Sequence, residues 1–230
     1  MGYRSNLLLL LSASLLGAQC TDLSVPYVHV PSCSKGIGRV QYNKSVLPNE
    51  TFPPTQVDLC YTDSDVKISF IAFEEDNFFY NESYKTNDPI YEYEVMEAFI
   101  YHGSNDPQSY FEFEVSPNNV TWQAFIYNPS KVRADKRPFD HGQLADPIID
   151  GLVSNTVLDK GARTWISNVS IPLGLFNIDD GQARGTQWRM NFFRTVVSKE
   201  TFPDQLLGAW SPTGKASFHI TPYFGNVFFA

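Results

Sequence analysis

Apolar and polar residues alternate with a period of two along most of this chain, which predicts strands rather than helices. Val66, Ile68, Phe70 and Ala72 alternate with Lys67, Ser69, Ile71 and Phe73, so this run begins half-exposed and becomes apolar on both faces. Phe111, Phe113 and Val115 alternate with Glu112, Glu114 and Ser116, which predicts a strand with one solvated face. Val120, Trp122, Ala124 and Ile126 form the next run, set off by the turn residues Pro117-Asn118-Asn119. Trp165, Val169 and Ile171 share a face opposite Asn168 and Ser170; Trp188, Met190 and Phe192 lie on a further strand, and residues 223–229 close the chain. Only Pro172-Leu173-Gly174-Leu175-Phe176 hints at a helical turn. Residues 128–161 carry few apolar positions in strand register and read as an excursion loop, a type more often functional or mobile than idle. Many short strands, no long helix, no repeat and no linker together predict an all-β protein, a two-sheet antiparallel β-sandwich.

The first 20 residues stand apart from this pattern. Arg4 precedes the apolar run Leu7-Leu8-Leu9-Leu10-Leu11 to Leu15-Leu16, and Ala18-Gln19-Cys20 follows it. That is the layout of a secretory signal peptide over residues 1–20, too short to span a bilayer. Gln19 is not the small residue that lipid attachment at Cys20 would need. Five Asn-x-Ser/Thr sequons follow, at Asn43, Asn49, Asn81, Asn119 and Asn168. The expectation is a secreted, extracellular glycoprotein with one domain over residues 21–230, whose first part, residues 21–56, is a Pro- and Gly-rich, loop-rich arm.

Composition narrows the function. The 18 Phe, 12 Tyr and 4 Trp favour strands and a large core. A net charge of −8 argues against nucleic acid and anionic membrane surfaces, which require clustered Lys and Arg. The one basic cluster, Lys131, Arg133, Lys136 and Arg137, is interleaved with Asp135 and Asp140 and reads as a solvated loop. With the leader removed, Cys33 and Cys60 remain. In an oxidising compartment they predict a disulfide contributing roughly 3–4 kcal/mol through chain entropy. Metal binding by the two lone cysteines is the minor alternative.

Two charged residues sit awkwardly in the pattern. If residues 93–101 form a strand, Glu97 shares a face with Val95 and Phe99. Arg194 shares a face with Met190 and Phe192. A Glu97–Arg194 pair inside the sandwich would resolve both anomalies, either as a structural pair or as the lining of a ligand site.

These residues also carry a family resemblance. Asp88-Pro89-Ile90-Tyr91-Glu92, with Val95, Glu97 and Phe99, resembles the signature stretch of family 9 carbohydrate-binding modules and their DOMON-like relatives. Tyr110-Phe111-Glu112-Phe113-Glu114-Val115 resembles the strand that follows it. Trp188-Arg189-Met190-Asn191-Phe192-Phe193-Arg194 resembles a third piece, and Trp210-Ser211-Pro212 through Phe218-His219, Pro222 and Phe224-Gly225 the closing run. The order holds over roughly three-quarters of the chain. The resemblance implies a sandwich gripping the end of a glycan chain between two aromatic rings, with structural calcium often present and no other cofactor. By position the clamp is Tyr91 and Phe218, with Glu97 accepting from sugar hydroxyls; Arg194, Asn191 and Trp210 complete the implied ligand-binding set. Rings stack on pyranose C–H faces, and a fixed carboxylate accepts from vicinal hydroxyls. The chain departs from the family where tryptophans form the clamp. It carries Glu114 in place of a ligand-binding Arg, Lys215 in place of an Asn and Glu94 in place of an Asp.

The leading expectation is therefore a non-catalytic protein binding an oligo- or polysaccharide of plant or cell-wall type. Whether it acts alone or beside secreted glycoside hydrolases, the sequence leaves open. Two alternatives from other classes stand beside it. Glu92, Glu94, Glu97, Glu112 and Glu114 could supply the acid and base of a glycoside hydrolase. A haem-binding electron-transfer domain, as some DOMON-like relatives are, would draw axial ligands from Met96 or Met190 with His219.

Overall fold

The structure, a computed structural model, describes residues 24–48 and 50–230. The expected leader and the sequon at Asn49 lie outside the described residues. Numbering strands along the chain, one sheet runs β1 (Tyr27–Val30), β13 (Gly225–Phe229), β11 (Gln187–Val196), β5 (Val95–His102), β6 (Ser109–Val115), β7 (Thr121–Tyr127) and β8 (Asp140–Gln143). Its eighth strand, β12 (Leu206–Ala209), also pairs with β11. The other sheet runs β2 (Gly38–Lys44), β3 (Thr51–Tyr61), β4 (Asp65–Ala72), β10 (Thr164–Pro172) and β9 (Val153–Asp159). Neighbours are antiparallel except β1, which lies parallel to β13. The all-β, two-sheet sandwich is the expected architecture. Among the described residues no helix is long and apolar enough to cross a membrane.

Alternation builds the inter-sheet core. Val66, Ile68, Phe70 and Ala72 of β4 point inward against Met96, Ala98 and Ile100 of β5 and Met190 and Phe192 of β11. Full burial of each large apolar side chain contributes about 1.5–3 kcal/mol. Asn119, in the turn between β6 and β7, takes a left-handed backbone (φ 63°), a conformation that Asn tolerates better than most residues. The expected helical turn is a single 3-10 turn at Leu173–Phe176.

Two expectations need correction. The segment read as a loop-rich arm supplies β1, β2 and the start of β3, and so joins both sheets. Its prolines sit beside or within strands, where a period-2 reading misses them: Pro53 and Pro54 lie in β3, and Phe52 still packs inward. The excursion loop contains β8 and β9, and β9 is an edge strand, which needs only one apolar face and so looks weak in sequence. The disulfide is as expected: Cys33 and Cys60 are bonded, with Cα atoms 4.8 Å apart. It ties the turn after β1 to the end of β3.

Of the described sequons, Asn43, Asn119 and Asn168 are exposed and Asn81 is half-buried. Asn168 sits on the outer face of β10, where its side chain accepts from Ser69 Oγ at 2.8 Å.

Candidate functional site

The eight-stranded sheet is buried on both faces, and its outer face holds the site. Val95 and Phe99 of β5, Tyr110 of β6, Trp122, Ala124 and Ile126 of β7 and Phe193 of β11 form a second apolar cluster there. The closing run roofs it with Phe218 and Phe224; Phe218 stacks on Phe193 with ring centres 4.1 Å apart. Gly225 lets this run lie close, since a side chain at that position would strike the Trp210 ring.

Register places three carboxylates side by side within this face. Glu97 of β5 stands opposite Glu114 of β6, Glu114 opposite Trp122 of β7, and Glu112 is two residues before Glu114 on the same face. One carboxylate oxygen from each lies within 4.8 Å of the other two. All three are buried: Glu97 is 3%, Glu112 5% and Glu114 1% exposed. Among the described residues none forms an ion pair with Lys or Arg. The Oε2 atoms of Glu112 and Glu114 have no hydrogen-bond partner. Burial pushes the Glu112 carboxyl up to about 8. It pushes Glu97 and Glu114 well above the usual carboxylate range, and their acidic neighbours push the same way. Glu112 and Glu114 were expected on a solvated face. They point out of the sandwich as alternation requires, yet loops cover that face.

Above the carboxylates opens a cavity of about 580 Å³. Tyr91, Trp122, Phe139 and Phe218 supply rings to its wall, with Arg133, His141 and His219 between them. Tyr91 follows Ile90 in a short 3-10 turn and is 48% exposed at the rim, its ring edge-on to Trp122 at 6.4 Å. Gln205 donates to the Tyr91 carbonyl at 2.7 Å and fastens this rim. On the other side Asn128, fully buried, accepts from the Arg133 amide (3.1 Å) and donates to the His219 carbonyl (2.9 Å). Arg133 lies over the Phe139 ring at 4.3 Å. His219 Nδ1 meets the Tyr110 hydroxyl at 2.7 Å. Burial, reinforced by Arg133, drives its pKa down to about 3, so the ring is neutral at physiological pH.

Tyr91, Glu97 and Phe218 therefore share one cavity, and the other three implied site residues do not line it. The expected Glu97–Arg194 pair does not form. Glu97 stands opposite Phe193 and Arg194 opposite Met96, so the two side chains leave opposite faces of the sheet. Arg194 reaches inward, where Nη2 donates to Glu75 Oε2 at 2.8 Å and Nη1 to the Phe73 carbonyl at 3.1 Å. Asn191 braces the closing run, accepting from the Ser211 amide (3.0 Å) and donating to the Ser211 carbonyl (2.9 Å). Trp210 packs on Phe192, ring centres 5.7 Å apart, in the inter-sheet core. Met96 and Met190 are also in that core, across the sheet from His219, so neither could share a haem iron with it. Residue-level reading missed Trp122, Arg133, Phe139 and His141 as cavity residues. Trp122 had a signal, since its register with Glu114 follows from the Pro117-Asn118-Asn119 turn; Arg133 and Phe139 come from a loop that carries none, and His141 from β8, a short edge strand without apolar alternation.

Comparison with known proteins places this geometry in context. No family model matches the chain. It is 51% identical over 210 residues to a protein of Arthroderma benhamiae named "Extracellular protein", covering 91% of this chain and 93% of that one. The chain belongs to that family. Like that relative, it is extracellular. Among solved structures it resembles a Bacteroides uniformis protein described as a candidate carbohydrate-binding protein, with a TM-score of 0.69 at 15% identity. That match covers 90% of this chain and all of the other. It also resembles a family 9 carbohydrate-binding module of Caldicellulosiruptor kristjanssonii, solved with cellotriose, with a TM-score of 0.56 at 14% identity over 88% of this chain and 93% of the module. These likenesses establish the fold as that of carbohydrate-binding proteins, family 9 modules included.

Proposed function

We propose that this chain is a non-catalytic glycan-binding protein that takes the terminal sugar of a plant or cell-wall polysaccharide into the cavity between Tyr91 and Phe218. The observation that carries the reading is the combination of aromatic wall and carboxylate floor in one cavity, on a fold shared with carbohydrate-binding modules. Tyr91 and Phe218 present ring faces to the C–H surface of the sugar, and Glu97 orients its hydroxyls. Trp122 and Phe139 extend the stacking surface, and the neutral His219 offers a further hydrogen bond. The exposed sequon at Asn168 lies on the opposite side of the sandwich, so a glycan there leaves the cavity mouth clear.

A hydrolase remains the second reading because buried carboxyls with raised pKa values suit a general acid. The geometry favours binding. The three acids stand on the neighbouring strands β5 and β6, on one side of the cavity, whereas a catalytic pair must flank the scissile bond. Calorimetric titration with cello-, xylo- and β-glucan oligosaccharides tests the proposal. Binding that is lost in Tyr91→Ala and Phe218→Ala, without release of reducing sugar, is the expected result. Sugar release abolished by Glu97→Gln would establish the hydrolase instead.

A further inference from the structure

We propose that Glu97, Glu112 and Glu114 form a binding site for a hard divalent cation, calcium above all, on the floor of the cavity. A calcium ion binds oxygen at about 2.3–2.6 Å, so two of its ligand oxygens stand no more than about 5 Å apart. The three carboxylates each offer an oxygen within 4.8 Å of the others, as one ion requires. An all-carboxylate set selects calcium, magnesium or manganese over softer metals. The remaining coordination positions face the cavity, where water or ligand hydroxyls can fill them.

The independent observation is what the protein withholds from these groups. Buried carboxylates elsewhere in this fold are given partners. Glu75 receives Arg194 at 2.8 Å and the amides of Asn77 (2.7 Å) and Phe78 (3.0 Å). Glu94 receives the Phe79 amide at 2.8 Å and the Asn77 side chain at 3.2 Å. Glu112 and Glu114 are buried as deeply, yet each keeps an oxygen with no donor; among the described residues no Lys or Arg pairs with the trio, and His219, whose Nδ1 stands 3.8 Å from Glu112 Oε2, is neutral. Leaving buried acceptors unmade costs stability, and three adjacent carboxylates repel one another when ionised together, so without a cation they hold protons instead. A ligand carrying two positive charges removes both costs at once. An ammonium group, as on an amino sugar, could reach the same three oxygens but supplies a single charge.

The cation's residence is independent of the glycan reading; its contact with sugar hydroxyls rests on that reading. The test uses the purified secreted protein, stripped with EDTA and titrated with terbium under tryptophan excitation, then with calcium as competitor. Trp122, directly opposite Glu114, is the antenna. Expected are one terbium per chain, displacement by calcium, and a melting temperature raised by calcium. Glu112→Gln/Glu114→Gln should bind terbium at least tenfold more weakly while keeping its circular dichroism, because amides relieve the repulsion. Absence of one-to-one binding, or binding that persists in the double variant, overturns the proposal. Binding of glucosamine by EDTA-stripped protein, lost in the same variant, overturns it in favour of an ammonium ligand. Calcium uptake without glycan binding sinks the function and leaves the ion; equal glycan binding in EDTA and calcium, with no terbium uptake, sinks the ion alone.

Discussion

The two sheets solve the same problem in opposite ways. The five-stranded sheet buries one face and leaves the other partly open to water, so β10 alternates between buried and half-buried positions, with Asn168 exposed. Its outer polar residues pair across strands: Lys67 donates to Ser170 at 2.6 Å, and Arg39 grips Asp58 at 2.7 Å. The eight-stranded sheet buries both faces, and β5, β6 and β11 are almost continuously enclosed. Inside, its one arginine has a carboxylate, Glu75, and backbone carbonyls as partners, with Nε alone left without one; outside, the three glutamates have no Lys or Arg, and two of them keep an unpartnered oxygen. A polar group on a covered face must be satisfied by the protein or by something that binds. The inner face takes the first course, and the outer face the second.

The sharpest way to break this contrast is to exchange the fates of the two faces. Arg194→Met strands Glu75 in the inter-sheet core and should cost about 3–5 kcal/mol. Glu97→Gln, across the same sheet, should leave the urea midpoint unchanged or raised. Equal destabilisation by both substitutions would show that the outer trio is architectural. The disulfide, which joins the turn after β1 to β3 and so links the two sheets, offers a second test. Cys33→Ser/Cys60→Ser frees the turn after β1 and should cost roughly 3–4 kcal/mol by loop closure. Glycan affinity, measured well below the lowered melting temperature, should not change, because neither Cys33 nor Cys60 lines the cavity.

Within the site the two rings of the clamp should part company. Tyr91 is 48% exposed, so Tyr91→Ala should weaken glycan binding by about 1–3 kcal/mol and leave stability alone. Phe218 is 9% exposed and stacked on Phe193, so Phe218→Ala should lose a similar binding term and also about 1–3 kcal/mol of stability. Paired calorimetry and thermal denaturation separate the two; identical profiles would refute the division between rim and roof.

The five-stranded sheet was the legible one. Alternation along residues 66–72 and 165–171 named both faces correctly, because water on one side preserves the contrast between neighbouring positions. The same logic misled at Glu112 and Glu114. Period two told which way they point but not that residues 84–91 and 206–224 fold over them. Arg194 and Glu97 failed for a related reason: each was seen to lie on an apolar face, but facing depends on strand register, and no local signal says that the apolar faces of β5 and β11 differ in which layer they meet. The motif resemblance named Tyr91, Glu97 and Phe218, which line one cavity. It also drew in Asn191 and Trp210, whose motif positions serve to brace the closing run and fill the core.

The last test concerns Glu94, which lies just before β5 and belongs to the partnered group. Burial, and then Glu75, push its carboxyl up to about 8, against the Phe79 amide and the Asn77 side chain, which pull it down. An unfolded chain releases that proton near pH 4.3, whereas the folded protein holds it until about 8. Between those values the folded state binds more protons, so this group's contribution to stability is complete in acid and declines as pH rises through the window. Glu94→Gln carries no titrating proton and should flatten the decline, by at most about 1.4 kcal/mol per pH unit. The advantage of the variant over the wild type should therefore be least near pH 5 and grow to pH 8, then level off. The cavity trio contributes the same slope to both proteins and cancels in the difference. Urea midpoints at pH 5, 6.5 and 8 measure it. A difference that stays constant across that range would mean that Glu94 is ionised throughout, its charge carried by Asn77, Phe79 and the nearby Arg194.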